Sequence, residues 1–378
     1  SSVQKSGQLQ VQDVVGNIAE PLFLNGHGPL NDGALLNVAG INTVTGNLEL
    51  DSDATIGANA GSLIINGIIS DLGAGHNLTK EGGGQVVLDP INPAGTVAAD
   101  TGNSYRGRTF VNAGLLSVRH SLALGNDPTP VYGINDTIVQ SAPNRSGTLD
   151  LEFIDNPLRI DPNVNATNDG FTVPTELLTL NGPGIEGIHV LPKQPLPAGN
   201  TVQGALHNTT GVNTWAQNIQ LWSGDSAVLG DSTVWNVNGV LPTVGIGAEA
   251  NSKLIITGHI LDSNLTGTAL NTTRQYDLIK TRPGRVQFVH DNSYRGRTDI
   301  LEGYLNIADS QALGIATLGD PRNGTFVFRQ ATLELEADAI NDSQSGSYVN
   351  PPHALVHLPT DLVMTTELLR PLGDGANS

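Results

Sequence analysis

Apolar and polar positions alternate with a period of two in short runs along the chain: Leu48-Glu49-Leu50, Ser62 to Ile65, Val86 to Leu88, Thr109 to Val111, Leu115 to Val118 and Leu149 to Phe153. A period of two sends successive side chains to opposite faces, so each run predicts a strand of about 3–6 residues. Between the runs lie Gly-Asn, Asn-Gly, Asn-Ala-Gly and Gly-Gly-Gly corners, spaced too regularly for a sandwich. No stretch of useful length carries the helical period, and the pattern predicts an all-β chain.

The pattern also repeats itself. Asn103 to Gly125 reads NSYRGRTFVNAGLLSVRHSLALG, and Asn292 to Gly314 reads NSYRGRTDILEGYLNIADSQALG, an offset of 189. Ser62 to Asp71 matches Lys253 to Asp262, and Leu78 to Leu88 matches Leu278 to Phe288. Gly33 to Leu48 matches Gly204 to Ile219 at an offset of 171, and Leu22 to Gly28 corresponds to Leu178 to Gly184. Thr366 to Leu369 echoes Thr175 to Leu178 and opens a third copy. Short strands with Gly/Asn corners in a self-duplicating chain predict a right-handed parallel β-helix, a β-solenoid made of two long tandem units. The units run over residues 1–172 and 173–363, with the start of a third at 364–378, as one continuous solenoid. At about 22 residues per rung and ~4.8 Å per step, the expectation is roughly 17 rungs and a rod on the order of 80 Å long. Both ends of the sequence fall inside a repeat, which predicts either a longer polypeptide or ends that pair with neighbours.

Composition narrows the function. Apolar residues make up 38% and charged residues 14%, with 45 Gly and 21 Pro, so the chain can fold and is neither a charged bundle nor a disordered polyampholyte. The net charge of −18 repels phosphate backbones and anionic membranes, which argues against nucleic acid as a partner. No window approaches the roughly 18 apolar residues of a membrane span. Cysteine is absent, which removes disulfides and thiolate metal sites together and is compatible with export of an unfolded chain to an extracellular setting.

The motif run Leu78, Thr79, Lys80, Gly82, Gly84, then Asn103, Tyr105, Gly107, Thr109, Val111, Gly114 and Leu116 resembles the passenger-associated transport repeat, or autotransporter-associated β-strand repeat, of bacterial surface proteins. Its second copy shows Leu278, Lys280, Gly284, Asn292, Tyr294, Gly296, Thr298, Ile300, Gly303 and Leu305. The resemblance implies a β-helical passenger exported to the cell surface, usually ahead of a translocator barrel, and assigns no catalytic residue.

Several polar groups are candidates for chemistry. Arg106, Arg108, Arg295 and Arg297 flank the Tyr-x-Gly motifs and could fork onto an acidic sugar or a partner carboxylate. Their presence in both copies favours the alternative, in which the stems cover apolar surface and the heads neutralise acidic neighbours. Trp215, Trp222 and Trp235 occur only in the second copy and are the place to look for a glycan platform. Asp51 and Asp53, with Asp225 and Asp231, set carboxylates at turns where Ca²⁺ could sit; no other cofactor is expected. His353 and His357, with Asp361, are too few and too loosely spaced for a zinc site. The cluster Asp150, Glu152 and Asp155 is echoed by Glu334, Glu336 and Asp338, so repetition favours a surface ladder over the paired carboxylates of a glycosidase. The sequence thus predicts an extracellular structural or adhesive solenoid, a spacer, filament or adhesin stalk and not an enzyme. Its partners would be further copies stacked head to tail or neighbouring repeats, and a glycan or cell-surface ligand. The alternative is a glycan-binding module or polysaccharide-active enzyme on the same scaffold.

Overall fold

The computed structural model describes residues 2–3, 7–91, 102–125, 129–132, 134–142, 145–156, 161–185, 202–222, 243–262, 276–315, 324–336 and 369–371. Every regular element among them is a β-strand, and the sequence's period-two runs account for most of them. Nearly all pairings are parallel; the short Ser141–Ala142 and Arg145–Glu152 contact is antiparallel. Parallel neighbours need a crossover between them, and here the crossover is the remainder of one turn of a coil.

In the first sequence copy the strands fall into three columns. The first stacks Leu22–Gly26, the Leu48 end of Leu48–Ala58, and Ile69–Ser70. The second stacks Leu9–Gln12, Leu35–Ala39, the Ala54 end of Leu48–Ala58, Leu78–Glu81, Thr109–Val111 and Thr137–Val139. The third stacks Asn17–Ile18, Ile41–Val44, Ser62–Ile65, Gln85–Leu88, Gly114–Val118 and Arg145–Glu152. Inward residues of all three columns, among them Leu24, Leu48, Leu35, Ile56, Val44, Ile65, Val86 and Leu151, belong to one buried cluster. Branched aliphatics suit this interior because each turn leaves its neighbour a space of similar shape.

The second copy repeats these partners at its own numbers. Leu35↔Ile56 becomes Leu206↔Ile246, Ser62↔Gln85 becomes Lys253↔Arg285, and Leu78↔Thr109 becomes Leu278↔Thr298. Where the copies meet, however, the columns do not continue straight. Leu178, the counterpart of Leu22, stacks on Thr137 of the second column, and Leu206, the counterpart of Leu35, stacks on Leu149 of the third. The same displacement recurs at Thr325↔Leu369. One copy therefore winds through a whole number of turns plus one further side.

Followed through that step, the longest column runs from Asn17–Ile18 to Leu369–Pro371 through twelve strands. Eleven steps of ~4.8 Å span on the order of 50 Å. The expected 17 rungs and 80 Å are thus too many and too long for the described residues. The error lies in the assumed 22 residues per turn: stacked partners are as close as 19 residues, at Arg285↔Tyr304, and as far as 58, at Glu152↔Thr210, so the number of residues between stacked strands varies widely.

The corner between the second and third columns is built from asparagine. Asn42 Nδ2 donates to Asn37 Oδ1 at 2.6 Å and to Ala39 O at 2.9 Å, while Asn37 Nδ2 reaches Ala60 O of the next turn at 2.8 Å. The second copy rebuilds the corner with Asn213 on Asn208 Oδ1 at 2.7 Å and on Thr210 O at 2.8 Å. Higher in the same column the chain turns at Gly114 (φ +67°) and Gly303 (φ +69°). A Cβ on Gly303 would lie 2.6 Å from Arg282 O, and one on Gly114 2.5 Å from Gly84 O. Both the left-handed φ and the turn beneath therefore demand glycine. Gly114→Ala is expected to destabilise the chain by at least about 1–3 kcal/mol, which chemical denaturation will measure; an unchanged midpoint would show that this corner can spread.

Candidate functional site

The motif residues Lys80, Asn103, Tyr105 and Thr109 all point into the coil, so the candidate site has to be built from the interior outward. Lys80 has the strand parity of Leu78 and stacks between Ile56 and Val111 of the turns below and above. Its ammonium is fully buried and donates to the carbonyls of Glu81 at 3.0 Å, Gly82 at 2.7 Å and Ala113 at 2.7 Å. Lys280 repeats this between Ile246 and Ile300, with acceptors Arg282 O, Gly284 O at 2.7 Å and Glu302 O at 2.8 Å. Three N–H groups meet three carbonyls that face the core at a glycine corner, two in the lysine's own turn and one in the turn above. Burial pulls both ammonium groups down to about 7, against the opposing charges of Glu81 at Lys80 and of Glu302 and Glu249 at Lys280.

Asn103 and Tyr105 occupy the next corner. Asn103 Oδ1 accepts from Ile69 N at 2.8 Å, and its Nδ2 donates to Ala123 O at 2.7 Å, so one amide ties the turns on either side. Asn292 does the same between Ile260 N, at 2.6 Å, and Ala312 O, at 2.5 Å. The Tyr105 hydroxyl and Thr109 Oγ1 lie 2.7 Å apart in the core, as do Tyr294 and Thr298. Burial holds the Tyr105 hydroxyl in its protonated form far above its ordinary range. Each polar group of the motif thus has its partner within the coil.

The arginines of the motif reach outward. Arg108 Nε donates to Asp136, whose side chain is 0% exposed, at 2.7 Å, and its guanidinium lies 5.1 Å from the Phe110 ring centroid. Arg297 contacts Asp299 at 2.5 Å and stacks 5.0 Å from the Phe326 centroid. Arg295 Nε donates to Asp262 at 2.8 Å. Arg106 is exposed, and its backbone N–H donates to Asp71, as that of Arg295 does to Asp262. Asp262 sits in a buried setting that raises its carboxyl to about 6 even with Arg295 against it. The four arginines do not converge on a common point; each belongs to its own local pair or surface.

Trp215 and Trp222 are 0% and 2% exposed and form part of the buried cluster, so neither offers a ring face to a sugar. Their large apolar area goes into the interior of the second copy, where period two alone could not tell an inward tryptophan from an outward one. Trp235 lies outside the described residues, as do Asp225, Asp231, His353, His357, Asp361 and Asp338. Asp51 is exposed, and Asp53 accepts from Asn77 N at 2.9 Å and Asn77 Nδ2 at 3.0 Å. Among the described residues no three His, Asp or Glu side chains converge to hold a metal ion, and no helix is long and apolar enough to cross a membrane. In the acidic cluster, Glu152 receives Arg119 Nε at 2.9 Å, while Asp150 faces His207 in the turn above.

The model of the passenger-associated-transport-repeat family matches residues 78–118, the stretch that holds Lys80, Asn103, Tyr105, Thr109 and Gly114. The chain carries that repeat. No curated protein and no solved structure matches the chain. The passenger-associated-transport-repeat is linked to autotransporter passenger domains, which supports a surface β-helix protein. The repeat is not itself catalytic, in keeping with motif residues whose polar groups bond to the coil's own backbone.

Two measurements test this reading of the motif. Each lysine's folded value lies below that of the unfolded chain, so the unfolded state binds more protons between about pH 7 and 10.5 and stability rises with pH across that window. The rise is at most about 1.4 kcal/mol per pH unit for each lysine. Denaturant titrations from pH 7 to 9.5 are expected to show it in the native chain and to lose it in the Lys80→Met, Lys280→Met double variant. Arg108→Ala, which leaves the buried Asp136 carboxylate without its guanidinium, is expected to cost about 3 kcal/mol, whereas Arg106→Ala at the exposed position stays within about 0.5 kcal/mol of native.

Proposed function

We propose that the chain is a structural length of a bacterial surface passenger: a β-solenoid that serves as a spacer, filament or adhesin stalk, and not an enzyme. What carries this reading is the stacking of twelve strands in one column, across the join between copies, with the repeat's polar residues spent on holding turn to turn. A catalytic or ligand-binding solenoid needs polar groups that converge outward in one copy and are free to meet a substrate. Here the same groups recur in both copies and bond inward.

The natural partners of such a segment are more of its own kind, either adjoining repeats of a longer chain or further copies stacked head to tail, because wherever a column of parallel strands ends its edge offers N–H and C=O groups to a further strand. An adhesive role adds a glycan or another cell-surface ligand on the outer faces. Purified protein is expected to appear in negative-stain micrographs as rods that lengthen with concentration. A population of compact round particles at all concentrations would count against the spacer reading.

A further inference from the structure

From the first copy across the join to the second, a line of buried and half-buried polar side chains runs from turn to turn. Ser62 Oγ donates to Gln85 Oε1 at 3.2 Å, Gln85 Nε2 to Ser117 Oγ at 2.9 Å, and Ser117 Oγ to Asp150 Oδ2 at 3.0 Å. Across the join, Asp150 Oδ1 meets His207 Nδ1 at 2.9 Å and accepts from Thr209 Oγ1 at 2.7 Å. His207 Nε2 faces Glu249 Oε1 at 3.3 Å, and Glu249 in turn receives Arg282 Nε at 2.7 Å. Asp150 belongs to the first copy; His207, Glu249 and Arg282 follow in three successive turns of the second.

The first copy has a charged line of its own in Asp89, Arg119 and Glu152, but without a histidine, and it does not rebuild this one at the matching positions. The counterparts of His207, Glu249 and Arg282 there are Leu36, Asn59 and Gly82, and Leu36 stacks on Gln10. The histidine-centred line is therefore not repeated at the matching positions of the first copy, and it stands where one copy docks on the next.

We propose that Asp150, His207, Glu249 and Arg282 form a proton-operated clasp between the two copies, closed while the imidazole is charged and loosened when it loses its proton. With His207 protonated the four groups sum to zero charge. His207 is 0% exposed, so without its proton the site would hold one uncompensated negative charge with almost no solvent to receive it. The groups that face His207 are Asp150 from the turn below and Glu249 from the turn above; Arg282 lies behind Glu249, and the Lys280 ammonium also acts on Glu249. Burial disfavours the imidazolium, but the two carboxylates outweigh it and raise His207 above its ordinary range. A raised folded value means that the stabilisation is full below about pH 6.5 and is lost as pH climbs through the folded value. The clasp thus answers pH in the opposite sense to the lysine corners.

NMR titration of the His207 ring, together with hydrogen exchange of the Leu206–Thr210 amides corrected for intrinsic rate, tests the proposal on the whole chain. The ring is expected to titrate above 6.5. The Leu206–Thr210 amides are expected to lose protection between pH 6 and 9.5, about tenfold for each unit by which the ring's measured value exceeds 6.5, while those of Ser62–Ile65 do not. His207→Gln, which keeps a hydrogen-bond donor but cannot titrate, is expected to abolish the pH-dependent loss. A ring that titrates at or below 6.5, or an equal loss of protection in the glutamine variant, would overturn it. Should the variant fail to fold, the ring titration of the native chain decides alone.

Discussion

A coil of parallel strands has to turn several times in every circuit, and each turn aims backbone carbonyls at an interior without water. Unpaired, each such group costs about as much as a lost buried hydrogen bond. How this chain satisfies its corners governs the rest of its architecture. The lower turns use paired asparagines, Asn37 with Asn42 and Asn208 with Asn213. The turns that carry the repeat motif use a buried ammonium, and the corner after it uses an asparagine that reaches both ways. In each case a donor set fixed by the side chain's chemistry matches acceptors fixed by the path of the backbone. Because one hydrogen-bond partner of each corner lies in the adjoining turn, closing a corner also fastens the turn to its neighbour.

The outer surface follows different rules. The chain carries a net charge of −18, and several of its few arginines stand beside buried or half-buried carboxylates: Arg108 with Asp136, Arg119 with Glu152 and Asp89, Arg295 with Asp262. Such pairs repay the desolvation of their acids more than they add stability. Phe110, Tyr304 and Phe326 lie beneath guanidinium groups of Arg108, Arg285 and Arg297, which covers their ring faces with the arginine planes. An arginine in the repeat motif is thus read more simply as a lid for an aromatic ring and a partner for an acid than as a hand held out to a ligand.

Much of the fold was legible because strand parity and duplication are both written in the sequence. Leu48, Leu50, Ile65, Val86 and Leu88 could be assigned inward from alternation alone, and the matching of Leu78 to Leu278 foretold their matching partners. The lysine corners were missed, although a signal was present: Lys80 and Lys280 hold the parity of core residues, while hydropathy alone marks them as surface. His207 left a similar trace, a histidine where the otherwise matching Gly-Ala-Leu stretch of the first copy continues with Leu36. The number of turns was not legible. It depends on how many residues separate one stacked strand from the next, and no local preference sets that number. Nor could alternation say that Trp215 and Trp222 face inward, because a column of aliphatics has room for an indole only where the neighbouring turns yield it.

The extra side gained by each copy sets how equivalent positions are laid out in space. Were copies simply stacked, a given residue would recur along one straight line of the rod. With an advance of one side out of three, it recurs on the next face, then the third, and regains its original bearing only at the fourth copy. Whatever chemistry one position displays would thus wind around the shaft as a shallow screw, visible from every direction of approach.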